Sequence, residues 1–172
     1  MTKIEQKSTK LSRKQRIYVF ENEGEIFKVV SSKKKAYEYL RKSSKTSYQT
    51  FANKTKLVKQ FSFFDTHKGG WYTTIAEHLI NKINARQKVY IMSFEYKNEN
   101  LLYNEIISIE TNLKKAWKTF VNSTHRIDSS YSTFCKYMQE ARHNKKANEA
   151  YYYEEKKDKG RGVVIVREFV VQ

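Results

Sequence analysis

Gln49 and Asn53 stand four residues apart in the stretch Ser47-Tyr48-Gln49-Thr50-Phe51-Ala52-Asn53-Lys54. On a helix that spacing puts both amides on one face, and each amide carries donors beside an acceptor. The chemistry on offer is recognition: an amide of this kind bonds bidentately to the N6 and N7 edge of adenine. Lys45, Thr46, Ser47, Thr50 and Lys54 surround the pair with side chains that donate to phosphate oxygens or base edges. Lys33, Lys34 and Lys35 form a second cationic group upstream, at the start of a predicted helix. Positive charge there opposes the helix dipole by a few tenths of a kcal/mol, about what an anionic partner would offset.

Bond-making chemistry finds less support. Cys135 falls on the predicted inward face of a helix, the place of a structural thiol. His67, His78, His125 and His143 are isolated, with no His-x-x-x-His pair and no Cys-x-x-Cys, so neither a metal site nor a cofactor is expected. Glu95-Tyr96-Lys97 has a nuclease-like Glu-x-Lys spacing, but it lies in a predicted hairpin loop and lacks an upstream Asp partner. Residues 154–159, Glu-Glu-Lys-Lys-Asp-Lys, read as a solvated charged turn. The expectation is a protein that is not an enzyme.

The elements that must position these residues occur twice. Residues 33–58 echo residues 113–141: Lys-Lys-Ala-aromatic opens each, and Ala36 with Leu40 matches Ala116 with Phe120 at helical spacing. A polar turn follows, then Ser-Tyr-x-Thr-Phe at 47–51 and again at 130–134. Tyr48, Phe51, Ala52 and Thr55 share one helical face, as do Tyr131, Phe134, Cys135 and Met138, so these are expected inside. Two short helices about a polar turn describe a helix-turn-helix. In the second copy the outward candidates are Lys114, Lys115, Arg126, Ser129, Ser130, Ser132, Thr133 and Lys136. The second helix of the first copy offers more side chains able to pair with a base, so sequence discrimination is expected there.

Outside the helices the offset between copies grows in steps, from 72 (15 to 87) through 80 (26 to 106) and 83 (48 to 131) to 92 (70 to 162). Insertions between intact elements are what surface loops tolerate. Ile17-Tyr18-Val19-Phe20 and 26–30 form a predicted hairpin around Glu21-Asn22-Glu23-Gly24, and 89–94 pairs with 101–109 in the second copy. Ser31-Ser32 and Thr111-Asn112 stand where helix N-caps belong. Glycine-bounded strands close each copy, at 69–74 and 160–166, and Ile75, Leu79, Ile80 and Ile83 at helical spacing predict a short connecting helix over 75–85. The expected fold class is α+β: a tandem duplication of a ββααβ unit, with a basic flexible tail at 1–12, a first module at 13–75, a connector at 76–86 and a second module at 87–172.

The run Ser-Ser-Lys-Lys-Lys-Ala-Tyr-Glu-Tyr-Leu (31–40), then Ser47-Tyr48-Gln49-Thr50-Phe51 and Lys68-Gly69-Gly70-Trp71-Tyr72, resembles the nuclease-associated modular DNA-binding repeat appended to homing endonucleases of phages and mobile elements. The resemblance covers 17–74 and implies a hairpin, a helix-turn-helix and a closing strand that together hold DNA. The second copy departs from it: its inter-helix turn is three residues longer, its hairpin loop is expanded, and its closing turn reads Lys159-Gly160-Arg161-Gly162.

Charge points the same way. With 34 Lys+Arg against 18 Asp+Glu the formal net charge is +16, a field that favours phosphate backbones. The basic stretches are not laid on long apolar helices, which argues against a membrane surface. No run approaches ~20 apolar residues and no signal-like segment opens the chain, so a soluble, unsecreted protein is expected, in the cytoplasm or nucleoid of a host cell or in a virion. One cysteine fits a reducing compartment. Most aromatics sit at core spacing, whereas Tyr151-Tyr152-Tyr153 cannot share one face and is a candidate stacking or protein-contact surface. Two repeats and a tail leave no room for a nuclease domain. The reading is a stand-alone double-stranded DNA binder that acts by occupancy, in regulation, packaging or targeting. A virion-associated interaction protein with a basic surface is the alternative, and an unrecognised nuclease the third.

Overall fold

Alternation decides the architecture. Along β1 (Lys14–Asn22) the run Ile17-Tyr18-Val19-Phe20 is buried on both sides, Tyr18 and Phe20 facing one core and Ile17 and Val19 another. A strand with no polar face must be covered on both. The computed structural model describes residues 14–83, 86–97, 102–124, 130–143, 149–157 and 160–172. It shows a mixed α+β fold with two antiparallel four-stranded sheets and four helices.

The first half runs β1, β2 (Glu25–Val30), α1 (Lys33–Ser43), α2 (Tyr48–Val58), β3 (Gln60–Asp65) and β4 (Trp71–Asn81), with strand order β2-β1-β4-β3. The second runs β5 (Lys88–Lys97), β6 (Leu102–Glu110), α3 (Leu113–Thr124), α4 (Tyr131–His143), β7 (Glu149–Lys157) and β8 (Gly160–Val170), in the equivalent order β6-β5-β8-β7. The ββααβ pattern therefore repeats, with one strand more per half than the sequence pattern predicted. Both hairpins also carry a bulge at corresponding places, beside Phe20/Glu21 and beside Met92/Ser93. An extra residue there lets neighbouring side chains turn to one face.

Each helix pair covers the outer face of its own sheet. Ala36, Leu40 and Phe51 pack on Tyr18, Phe20, Phe61, Phe63 and Ile75; Ala116, Phe120, Phe134 and Met138 pack on Tyr90, Met92, Val164 and Val166. The inner faces meet each other. Ile17, Val19, Ile26, Val29, Ile80 and Ile83 form one core with Val89, Ile91, Phe169 and Val171, giving four layers: helices, sheet, sheet, helices. The chain closes across this seam, where Ser31 N donates to Gln172 O (2.9 Å) and Gln172 N to Val29 O (3.1 Å). Polar groups are buried at the same level. Arg167, 3 % exposed, is ion-paired with Glu95 and donates to Ser93 Oγ. Burial, then the nearby Glu95 charge, raises the Glu21 carboxyl above the usual range.

Several expectations are corrected. The connecting helix over 75–85 is absent: β4 continues to Asn81, paired with β1 from Asn22↔Thr73 to Lys14↔Asn81, so 76–81 belongs to the first sheet and not to a connector. Glu95-Tyr96-Lys97 lies in strand β5 rather than in a loop, and Glu95 serves Arg167. Tyr151-Tyr152-Tyr153 and the charged run after it, to Lys157, form strand β7, registered on β8 through Tyr152↔Ile165. The turn of the first hairpin is confined to Glu23 and Gly24, both at positive φ (48° and 79°). The 1–12 tail lies outside the described residues. Among the described residues no helix is long and apolar enough to cross a membrane.

Candidate nucleic-acid interface

The first helix pair is fixed by hydroxyl groups. Ser32 Oγ accepts from Lys35 N (3.3 Å) at the start of α1, and Ser47 Oγ accepts from Thr50 N (3.2 Å) at the start of α2. Each satisfies a backbone donor that no helical carbonyl can reach. Residues 44–47 join the helices; Tyr37 Oη donates to Thr46 O (3.0 Å), and Ser44 Oγ bonds the Thr46 hydroxyl (2.7 Å). Asp65 anchors α1 and its own turn, accepting from Tyr39 Oη (2.9 Å) and Ser43 Oγ (2.8 Å) of the helix, and from Thr73 Oγ1 (3.1 Å) and His67 N (3.0 Å). Burial alone would raise its pKa, but these four donors outweigh it and hold the carboxylate below the ordinary range. Burial and the bond to Asp65 push the Tyr39 phenol up to about 12.

On that support, α2 buries Phe51 and Thr55 and turns Gln49, Thr50, Asn53 and Lys54 to solvent. Gln49 Nε2 donates to Asn53 Oδ1 (3.0 Å), so the two amides are hydrogen-bonded on the exposed face. The pair still presents a free acceptor on Gln49 and free donors on Asn53, the complement of an adenine N6 and N7 edge. Lys45 is exposed beside them, Thr46 is half-buried in the turn, and Lys54 Nζ lies 5.3 Å from the Phe61 ring centroid. Tyr48 corrects the inward assignment. It is 45 % exposed, with its ring edge-on to Tyr37 at 5.2 Å.

The lysines of α1 separate. Lys33 is half-buried, 3.8 Å from Glu77, a carboxylate that also holds Arg16 (3.1 Å) and Lys59 (3.5 Å) and accepts from Tyr18 Oη. Lys34 and Lys35 are exposed. In the second half, Lys114 and Lys115 are exposed at the start of α3, where Asn112 Oδ1 caps both their N–H groups (2.9 and 3.3 Å). Ser130 Oγ caps α4 through Thr133 N (3.2 Å) and bonds the hydroxyls of Ser132 and Thr133. Lys136 faces Glu140 at 3.9 Å. Arg126 and Ser129 lie outside the described residues. Ser47 and Ser130 thus cap α2 and α4, whereas sequence reasoning placed caps only at Ser31-Ser32 and Thr111-Asn112, ahead of α1 and α3, although serine three residues before a helical N–H signals the role.

Sequence reasoning missed the tip of the β3–β4 hairpin. Phe64, Trp71 and Tyr72 are 52, 57 and 68 % exposed, and the Phe64 and Tyr72 rings meet edge-on at 5.8 Å. Gly69 and Gly70 turn the chain at positive φ, and a Cβ on Gly70 would come within 3.2 Å of the Phe64 ring. Among the described residues no cluster of His, Cys, Asp and Glu is arranged to hold a metal. No family model, curated protein or solved structure matches this chain.

Proposed function

We propose that the protein binds double-stranded DNA, with the α1–α2 pair acting as a helix-turn-helix and the N-terminal part of α2 lying in the major groove. The observation that carries this reading is the exposed face of α2. A hydrogen-bonded Gln49–Asn53 amide pair is flanked in sequence by Lys45 and Lys54, and the helix contains no acidic residue. The formal charge of +16 supplies the long-range attraction. The two halves are read as copies of one unit. Their shared strand order and bulge support this, as does a common pairing of strand tyrosine, facing glutamate and neighbouring cation: Tyr18, Glu77 and Arg16 against Tyr90, Glu168 and Lys88. On this reading the protein acts by occupancy, as a regulator, packaging factor or targeting partner.

A second reading rests on the β3–β4 tip, whose exposed rings suit stacking on unpaired bases. Titrating duplex DNA, single-stranded DNA and RNA separately, at several salt concentrations, separates the two. Replacing Gln49 and Asn53 together by Ala should cost about 1–3 kcal/mol on a selected duplex and little on a scrambled one. Replacing Lys114 or Lys115 by Ala should weaken all duplexes alike and lower the salt slope by about one unit each. Binding confined to single strands and abolished by Trp71→Ala would replace the groove reading with the stacking one.

A further inference from the structure

Among the residues whose burial is described, Lys28 and Lys33 are the half-buried Lys and Arg residues and Arg167 the buried one; the others are exposed. A cation withdrawn from water needs a counter-charge. Lys33 has Glu77 and Arg167 has Glu95. Lys28 has no carboxylate within ion-pair distance among the described residues. Its Nζ lies 5.5 Å from the Tyr39 ring centroid, and burial together with neighbouring Lys42 lowers its pKa. The bulge in β2 explains how it comes there. Ile26 and Val29 enter the core between the sheets, while Phe27 and Lys28 both turn towards α1.

We propose that the cleft between α1 and the edge strand β2 is a phosphate-binding site. It is an open groove of about 380 Å³, and Lys28, Lys35, Arg41 and Lys42 line it together with Tyr39 and Glu38. None of the four cations forms an ion pair with Glu38 or with any other described carboxylate. Lys35 also lines an adjoining cavity of about 610 Å³, whose wall adds Arg86. Four cations lining one groove exceed what a single carboxylate ligand would neutralise and suit a multiply charged phosphate group. Such a group could belong to a free phosphate compound or to a nucleic-acid backbone. Of the four cations the second half retains one at the matching position, Lys115 for Lys35. At the equivalent offset of 80 the second half places Ser108, Val121 and Asn122 where the first has Lys28, Arg41 and Lys42. The inference is independent of the groove contact of α2, because its primary test contains no nucleic acid.

That test is a calorimetric titration of the whole chain with tripolyphosphate at constant ionic strength, with Lys28→Gln/Lys42→Gln compared against Lys56→Gln/Lys118→Gln. The expected result is saturable binding that the cleft pair weakens by about tenfold or more, and that the distant pair leaves unchanged. Both variants should melt at or near the wild-type temperature, since the cleft pair relieves like-charge crowding. Should the cleft pair unfold, the Lys28 and Lys42 side-chain ammonium resonances of the wild-type protein serve instead, and must shift and saturate with added tripolyphosphate. Displacement of tripolyphosphate by a short duplex would assign the site to backbone phosphate; no displacement would assign it to a free phosphate compound. Absence of saturable binding, or equal weakening by both variants, would overturn the proposal.

Discussion

The two halves share a frame and differ in how they place charge on it. Glu77 and Glu168 occupy the same register, opposite Tyr18 and Tyr90, and each holds a cation from the first strand of its half. The first half adds Lys33 and Lys59 to Glu77, whereas Leu113 stands at the position equivalent to Lys33. On the second helix the contrast reverses: α2 carries no acid, while Lys136 of α4 faces Glu140. Inward positions match because both sheets must bury the same alternating pattern, whereas outward positions are free to diverge.

The equivalence of the frames can be broken by cutting the same ring from each. Phe51 and Phe134 are both fully buried, so Phe51→Ala and Phe134→Ala should each cost about 3–5 kcal/mol in chemical denaturation. Because one core joins the sheets, either change should lower a single transition for both halves. Fluorescence of Trp71 reports on the first half and that of Trp117 on the second; separate midpoints would show that the halves unfold independently.

A smaller effect sharpens the difference. Asp65 ties α1 to the β3–β4 hairpin through four donors, and Asp65→Asn should cost roughly 1.5–3 kcal/mol near neutrality. The folded-state pKa of Asp65 lies below its unfolded value, so the carboxylate's contribution is fully present above the unfolded pKa. It is lost as pH falls below about 4 and through the folded value. Melts of the wild type and the variant should therefore converge in acid; a constant gap would mean that Asp65 acts through packing rather than charge. Smallest are the caps: Ser47→Ala and Ser130→Ala should each cost about 1 kcal/mol, and equal losses would support the equivalence of the halves. A negligible loss at Ser130 alone would confine effective capping to the first half.

Much of the frame was legible because it depends on neighbours in sequence. The spacing of Ala36 with Leu40 and of Phe51 with Thr55, the caps at Ser31-Ser32 and Thr111-Asn112 and the β-branched and aromatic run at 17–20 are local signals, and each fixes a helix face, a helix start or a strand. The outward side of α2 followed from the same periodicity, although Tyr48, at the first turn, sets its ring edge-on to Tyr37 and stays half in water. Segment 75–85 was misread because Ile75, Leu79 and Ile80 fit a helical stripe when considered alone. Pairing with β1 instead sends Ile75 under the helices and Ile80 between the sheets, and leaves Leu79 65 % exposed. Strand β3 was missed, and with it the exposed ring of Phe64, since the pattern of 60–65 becomes a strand only beside β4.

The sequence by itself determined that there are two similar halves, where their helices begin, and which residues of each strand are apolar. Only the tertiary structure decided what those residues bury against. It set the two sheets face to face, gave Lys33 and Arg167 their carboxylates, and left Lys28 beside an aromatic ring and other cations. The reason is range: helix caps and side-chain alternation act over a few residues, whereas counter-charges and covering faces come from segments far away in the chain.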